Sequence, residues 1–513
     1  VPSSIAQYFT GLDYLLALPM LLLTLFAMGI LLMDLLMPPE LKWMNAVLAL
    51  TGVGFTSYRV HKIQAAYDAQ GPIMGHLGFV GTLLVDRFAL YFFYLFLAGT
   101  AVAILMSARY LEIEQENHGE YYALMLFSVV GMMCMAAGYD LVMIFIGLEL
   151  MAISTYVLVG FLRRDKRSNE AALKYMLLGA FSSGIFAYGL SLFYGLTGST
   201  NLQLITPRLA QRMAEHGRQA DALLIVAMLT TATGLLFKVA AVPFHQWAPD
   251  AYEGAPTSIT GFMSVSVKAA AWAMLLRLFI WMMFPLRSAY VPFLVFVSIA
   301  TMTGANFAAL TQSNLKRLLA YSSIAHVGYM LLGLIAGSSD SFSPDGVKGI
   351  LIYLLVYTFM NLGAFAVITS LRHRNVIGDE IDDIAGLYSR APVEAVLMLI
   401  FLLSLAGIPP LAGFWGKYFI FLSLIETGHY ALAALAVLYS VFGLYYYLRI
   451  ANAMFMREPL EKEALPLSPA LGVALAVTAL ATLVIGIFPN PMINMINGVL
   501  GLTQVTPVAH LLR

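Results

Sequence analysis

Apolar runs of roughly 17 to 25 residues recur along the whole chain, separated by short polar segments, and each is long enough to cross a hydrocarbon layer as a helix. The pattern predicts about 14 spans. They fall at roughly 14–36, 41–57, 85–107, 121–138, 140–162, 169–194, 221–247, 257–283, 289–310, 318–337, 347–371, 393–425, 430–452 and 467–488. The run Tyr14 to Met33 has no basic segment before it and is expected as a retained helix, not a cleaved signal. Tyr58 to Phe79 and Gly195 to Asp221 are the only sizeable loops expected before the tail, and no soluble domain or linker interrupts the series.

Two spans break the pattern. Span 7 carries "LLFKVAAVPFHQW", and Pro243, lacking an N–H, deprives the Val239 carbonyl of its helical partner. Span 12 carries "AGIPPLAGFWGK", where Pro409 and Pro410 release the carbonyls of Leu405 and Ala406. Unpaired backbone at membrane depth is tolerated only inside protein or beside a wet cavity. Interrupted helices in corresponding positions of two halves point to inverted repeats around an ion path. The breaks lie five spans apart, an odd number of crossings, so a repeat of that length must insert upside down. Lys238 precedes its proline whereas Lys417 follows its pair, so topology supports the repeat more than sequence identity does.

Of 513 residues, 60% are hydrophobic and 11% charged. Soluble domains have about a quarter charged residues, so this is an all-α polytopic membrane protein in a lipid bilayer. A formal net charge of zero gives no footprint for nucleic acid. The single cysteine, Cys134, excludes an intrachain disulfide and any multi-cysteine zinc or iron–sulfur site. No nucleotide-binding or zinc-protease motif is present, so no cofactor and no metal is expected in this chain. The basic segments "RRDKRSNE", "SNLKR", "RHRN" and "MREPLEKE" follow spans 5, 9, 11 and 13 and fall on one side, which the positive-inside rule makes cytoplasmic. The acidic "AGSSDSFSPDG" falls on the other side, and both termini are expected there, on the periplasmic face of a bacterial inner membrane.

Ionisable residues far from span ends carry the functional signal. Glu149, Lys238, Lys268 and Lys417 lie deep in apolar sequence, and Lys174 sits about two turns into span 6. A charge at the bilayer centre costs roughly 2.5–3.5 kcal/mol even on the mildest scales, so four cost on the order of 10 kcal/mol. Two readings stand for several of them. Glu149 and Lys238 form either a structural ion pair or part of a proton relay, and Lys174 either snorkels to the interface or contributes to transport. No acid sits at pairing distance in the spans of Lys268 and Lys417. His245, seven residues after Lys238, would share its face in a straight helix, and His326 lies inside span 10. Each histidine is either a packing residue or a shuttle. Asp250 and Glu253, in "WAPDAYEGAPT", are expected to cap and dock at the membrane edge.

Four segments carry a resemblance: "FKVAAVPFHQWAPDAYEGAPTSITGFMSVSVKAA", "RRDKRSNEAALKYMLLGA", "GIPPLAGFWGKYFIF" and "SNLKRLLAYSSIAHVGYM". They closely resemble the antiporter-like membrane subunits of proton-pumping NADH-quinone oxidoreductase, respiratory complex I, which are related to Mrp-type cation/proton antiporters. "YEGAPT" and a lysine at Lys417 are similar to the subunit N family, with its cyanobacterial and plastid counterparts. The resemblance implies fourteen helices, with spans 4–8 (119–285) and 9–13 (286–456) as inverted repeats after an N-terminal part (1–118) and before span 14 and a tail (457–513). It places the family's functional glutamate on Glu149 and its lysines on Lys174, Lys238, Lys268 and Lys417. It implies a proton-translocating subunit, a thylakoid-type membrane as an alternative location, other membrane-arm subunits as partners, and flavin, iron–sulfur clusters and quinone in partner subunits. Two alternatives stand beside it: an Mrp-type antiporter acting alone, and a non-pumping helix scaffold.

Overall fold

The computed structural model describes residues 10–69, 75–215, 221–339, 343–372, 378–459 and 467–501. His373 to Asn375, Leu460 to Glu463, residues 340–342 of the acidic loop and both extreme termini, on which the expected orientation partly rests, lie outside the described residues.

Helices account for nearly all of the molecule. They are α1 (Gly11–Asp34), α2 (Met44–Ala69), α3 (Arg87–Glu114), α4 (Gly119–Ala137), α5 (Leu141–Val159), α6 (Lys166–Thr197), α7 (Leu202–Glu215), α8 (Ala222–Val239), α9 (Trp247–Gly254), α10 (Thr257–Phe262) and α11 (Lys268–Leu276). There follow α12 (Arg287–Leu310), α13 (Leu315–Ser338), α14 (Pro344–Ser370), α15 (Leu387–Arg390), α16 (Pro392–Ala406), α17 (Ala412–Glu426), α18 (Tyr430–Met456), α19 (Pro469–Ile487) and α20 (Asn490–Val499). Polar residues start them: Asp86, Asp140, Asp165, Asp221 and Asn314 each accept a backbone N–H in the first turn of the helix that follows.

Twelve helices among the described residues are long and apolar enough to cross a membrane. The other two expected spans coincide with α2 and with the pair α16 and α17, whose halves are individually short. Both expected interruptions are present. Residues 240–246 separate α8 from α9, and 407–411 separate α16 from α17. The Val242–Pro243 and Pro409–Pro410 bonds are cis.

The first expected loop, Tyr58 to Phe79, is instead helical as far as Ala69, where α2 ends. Beyond it, residues 75–78 and 83–86 form an antiparallel hairpin, β1 and β2, with Gly75 opposite Asp86. In the second loop, α7 buries Leu202, Ile205, Leu209 and Met213, one stripe of an otherwise polar helix.

Helix burial sorts the molecule into an axis and a rim. The span 257–282, α13 and α14 are almost wholly buried, whereas α1, α6, α12, α18 and α19 turn much of their apolar surface outward. Outward apolar faces suit lipid, and the axis is left for side chains that need shelter from it. The 257–282 span also has two π-helical stretches, Met263–Val267 and Arg277–Met282, which bracket α11 and its first residue, Lys268. Close approach fixes α5: a Cβ on Gly131 of α4 would lie 2.6 Å from the Gly147 carbonyl, two residues before Glu149.

Candidate functional site

Lys238 lies in the last turn of α8 and is buried, 4% exposed. Its ammonium donates to the Tyr156 hydroxyl at 3.3 Å and lies 5.6 Å from that ring's centre. Tyr156 follows Glu149 on α5 by seven residues, two turns on one face. Glu149 and Lys238 form no ion pair within 4.0 Å, and the buried Glu149 Oε1 has no hydrogen-bond partner among the described residues. The structural ion-pair reading therefore gives way to an indirect arrangement in which Tyr156 meets the lysine. Sequence reasoning missed Tyr156, although its spacing from Glu149 was the available signal.

The break after Lys238 corrects the expectation for His245. Ala240 adopts a left-handed conformation (φ 61°), and residues 240–246 are not helical, so Lys238 and His245 do not share a helix face. His245 hydrogen-bonds neither lysine, and its ring instead meets the Pro243 backbone. The break is held from both sides. Val242 N–H donates to Thr301 Oγ1 at 3.0 Å, and the Trp247 indole donates to the Phe237 carbonyl at 2.9 Å. Trp247 also stacks on Tyr175 at 4.4 Å.

Lys268 and Lys417 are joined by one face of α13. Lys268 Nζ donates to the Ser323 carbonyl at 3.2 Å and to the Ser323 hydroxyl. Three residues on, His326 Nδ1 meets the Tyr353 hydroxyl at 2.5 Å and Nε2 meets the Tyr447 hydroxyl at 3.1 Å. Three residues further, the Tyr329 ring lies 5.0 Å from Lys417 Nζ. Positions 323, 326 and 329 are helix neighbours, so a single surface runs from one lysine to the other. Lys417 Nζ donates to the Ala406 carbonyl at 2.7 Å, one of the two oxygens that the proline pair was expected to free. Gly407 shapes this seat: its φ is +87°, and a Cβ would lie 2.8 Å from Lys417 Cδ.

Lys174 is set apart from this line. Its side chain is 46% exposed and pairs with Glu170 at 2.8 Å and Asp250 at 2.9 Å. Arg317 bridges Asp250 at 2.7 Å and Glu253 at 2.9 Å, which docks α9 onto α13 as the sequence led us to expect.

Two buried cations escaped sequence reasoning. Lys316, placed in a basic loop by its "SNLKR" context, is 3% exposed inside α13. It donates to the Ala255 carbonyl at 3.0 Å and pairs with Asp379 at 3.4 Å. Burial pushes the Asp379 carboxyl above its ordinary value, opposed by Lys316, Arg372 and Arg167. A polar cavity of about 390 Å³ opens here, lined also by Tyr110, Glu114 and Glu253. Three residues past Ala255 of its wall, Ser258 meets Tyr121 and Tyr121 meets Ser107, each at 2.8 Å. Ser264, four residues before Lys268, accepts from Asn361 at 2.7 Å. The second missed cation, Arg277, is 1% exposed and holds Asp86 through two nitrogens at 2.7 and 2.9 Å.

Interrupted helices flanking a sheltered line of lysines, joined by hydroxyls and an imidazole, define an antiporter-like, multi-pass membrane protein. A family model described as "NADH:quinone oxidoreductase/Mrp antiporter, TM" matches residues 138–443. The chain belongs to this family, on its subunit N branch. A relative from Koribacter versatilis named NADH-quinone oxidoreductase subunit N 1 is 65% identical over all of both chains. A chain of respiratory complex I from Thermus thermophilus is 31% identical with a TM-score of 0.76, covering 93% of this chain and 98% of that one. A chain of the Mrp complex from Dietzia shares the fold, with a TM-score of 0.75 at 22% identity, covering 96% of this chain and 97% of that one.

Proposed function

We propose that the chain moves protons across a membrane as subunit N of an NADH-quinone oxidoreductase, driven by redox chemistry in partner subunits. The observation that carries this is the α13 face, on which Ser323, His326 and Tyr329 connect two buried lysines that form no ion pair among the described residues. A neutral imidazole accepts a proton at one nitrogen while its other releases one, and a lysine sheltered from water gives up its proton more readily than an exposed one. Glu149 acts on Lys238 across Tyr156. The proton then passes by His245 and water to Lys268, and by Ser323 and His326 toward Lys417 and the opposite side. Lys174 has a secondary part, biasing the path from its edge through Asp250. The buried Thr231 and Ser266 hydroxyls lack partners among the described residues. Groups of that kind are satisfied by water, which supplies the short links between Lys238 and Lys268.

Moving one charge against 100 mV requires about 2.3 kcal/mol. That energy comes from electron transfer through flavin, iron–sulfur clusters and quinone held by partner subunits. The neighbours of this chain are other membrane-arm subunits. Fourteen crossings, inverted repeats at 119–285 and 286–456 flanked by 1–118 and 457–513, and both termini on the periplasmic side of a bacterial inner membrane complete the reading. Two helix breaks five spans apart support the repeats, and the bacterial relatives favour that membrane over a thylakoid-type one.

Replacing Lys238 or Glu149 by alanine should sharply reduce NADH-driven pumping in a fully assembled complex. Wild-type pumping in both variants would remove their proposed roles. Robust Na⁺/H⁺ exchange by the purified chain alone would instead favour a stand-alone antiporter.

A further inference from the structure

Away from the buried lysines, a groove of about 710 Å³ lies between α2, α3, α14 and α20. Most of its wall is apolar, including Val53, Leu95, Ala98, Phe359 and Met495. One end is charged. There α2 finishes and α3 begins, and Arg87 pairs with Asp68 at 2.9 Å beside Gln64. The pair is partly open, with Arg87 26% and Asp68 53% exposed, so both charges remain available to a ligand. Along α3 the lining runs from Arg87 to Ala101. Fourteen residues at 1.5 Å each give about 21 Å. That is half of a bilayer about 40–45 Å thick with its head groups, the depth of one leaflet.

We propose that this groove is a binding site for one phospholipid whose zwitterionic head group ends in a primary ammonium. The phosphate sits on Arg87, whose planar fork of donors matches it, and the ammonium donates to the Asp68 carboxylate. The acyl chains run along the apolar wall toward Ala98 and Met495. The charge balance at the end of the groove selects the head group. A choline head has no N–H to offer Asp68, and a glycerol head sets an uncompensated anion beside that carboxylate. The site is independent of the proton path, since none of its lining residues belongs to it.

The test uses the intact detergent-purified complex containing this chain, equilibrated with equal amounts of palmitoyl-oleoyl phosphatidylethanolamine, phosphatidylcholine and phosphatidylglycerol, then analysed by native mass spectrometry. Wild type should retain phosphatidylethanolamine in preference to each of the others by about tenfold, the worth of one hydrogen bond to a charged group. Gly54 lies in the wall, and a Cβ there would meet nothing within 4 Å. Gly54→Trp should therefore fill the groove and remove one retained lipid per complex without loss of a subunit. Asp68→Asn should shift the preference toward phosphatidylglycerol, and it carries the test if Gly54→Trp does not assemble. Equal retention of the three lipids, an unchanged preference in Asp68→Asn, or an unchanged lipid count in Gly54→Trp would each overturn the proposal. Loss of a neighbouring subunit from Gly54→Trp at constant lipid count would also overturn it, and would assign the groove to a partner's helix.

Discussion

Replacing Lys268 separates a proton carrier from a structural cation. Lys268→Met keeps the side chain's length and apolar stem while removing its charge. The removed charge cost roughly 2.5–3.5 kcal/mol to bury at membrane depth. The two bonds to Ser323 that disappear with it are worth about 1.5 kcal/mol each at the low end for charged donors. These nearly cancel, so the complex should assemble with its thermal stability changed by no more than about 1–2 kcal/mol. Transport should not cancel. A barrier raised by about 1.4 kcal/mol slows transfer tenfold, so loss of a carrier should reduce pumping by at least about tenfold. Lys268→Arg sharpens the distinction, because guanidinium keeps the charge and the donors but does not release its proton. It should therefore assemble and fail to pump. The assay is NADH-driven acidification of proteoliposomes, normalised to intact complex, alongside thermal denaturation in detergent. Normal pumping by Lys268→Arg, or a Lys268→Met complex that falls apart while its intact fraction pumps normally, would refute the reasoning.

Other variants test separate links. Tyr156→Phe keeps the ring and removes the hydroxyl that accepts from the Lys238 ammonium, worth about 1.5 kcal/mol at the low end for a charged donor, so pumping should slow by about tenfold with assembly unchanged, measured in the same proteoliposomes. Gly407→Ala should abolish pumping, because it forces a side chain into a left-handed position and against the Lys417 stem; quinone reduction and acidification measured together would show it. Lys316→Met leaves a buried carboxylate unpaired and should destabilise the complex by about 3–5 kcal/mol at neutral pH, read by thermal denaturation. The pH dependence has a definite sign. Asp379's folded-state pKa is raised, so the folded protein binds the proton more tightly and stability falls as pH rises from the ordinary carboxylate range through the raised value. Without Lys316 that window should extend to higher pH, whereas a flat profile would contradict the assignment.

Most of the span pattern was legible because a bilayer demands length and hydropathy, and both are written locally. The prolines also announced their breaks, and the freed Ala406 carbonyl was located before Lys417 was seen to use it. Legibility failed where contact between distant segments decides. Lys316 looked like a loop cation because Arg317 follows it, yet α13 starts a residue earlier and turns Lys316 toward Asp379. Arg277 sits near a span end, where a long side chain ordinarily snorkels, and instead reaches Asp86. His245 was placed by counting turns through a proline, and the left-handed Ala240 defeats that count. The tyrosines around His326 come from α14 and α18, and no local pattern brings them together.

The central claim is that one buried line of groups in this chain carries protons. Its most direct test is the number of protons translocated per NADH oxidised, measured on proteoliposomes of the complex with Lys238, Lys268 and Lys417 all replaced by methionine. The account predicts a clear fall in that ratio, while NADH oxidation by an artificial acceptor that bypasses quinone stays at the wild-type rate. A wild-type ratio in the triple variant would contradict it.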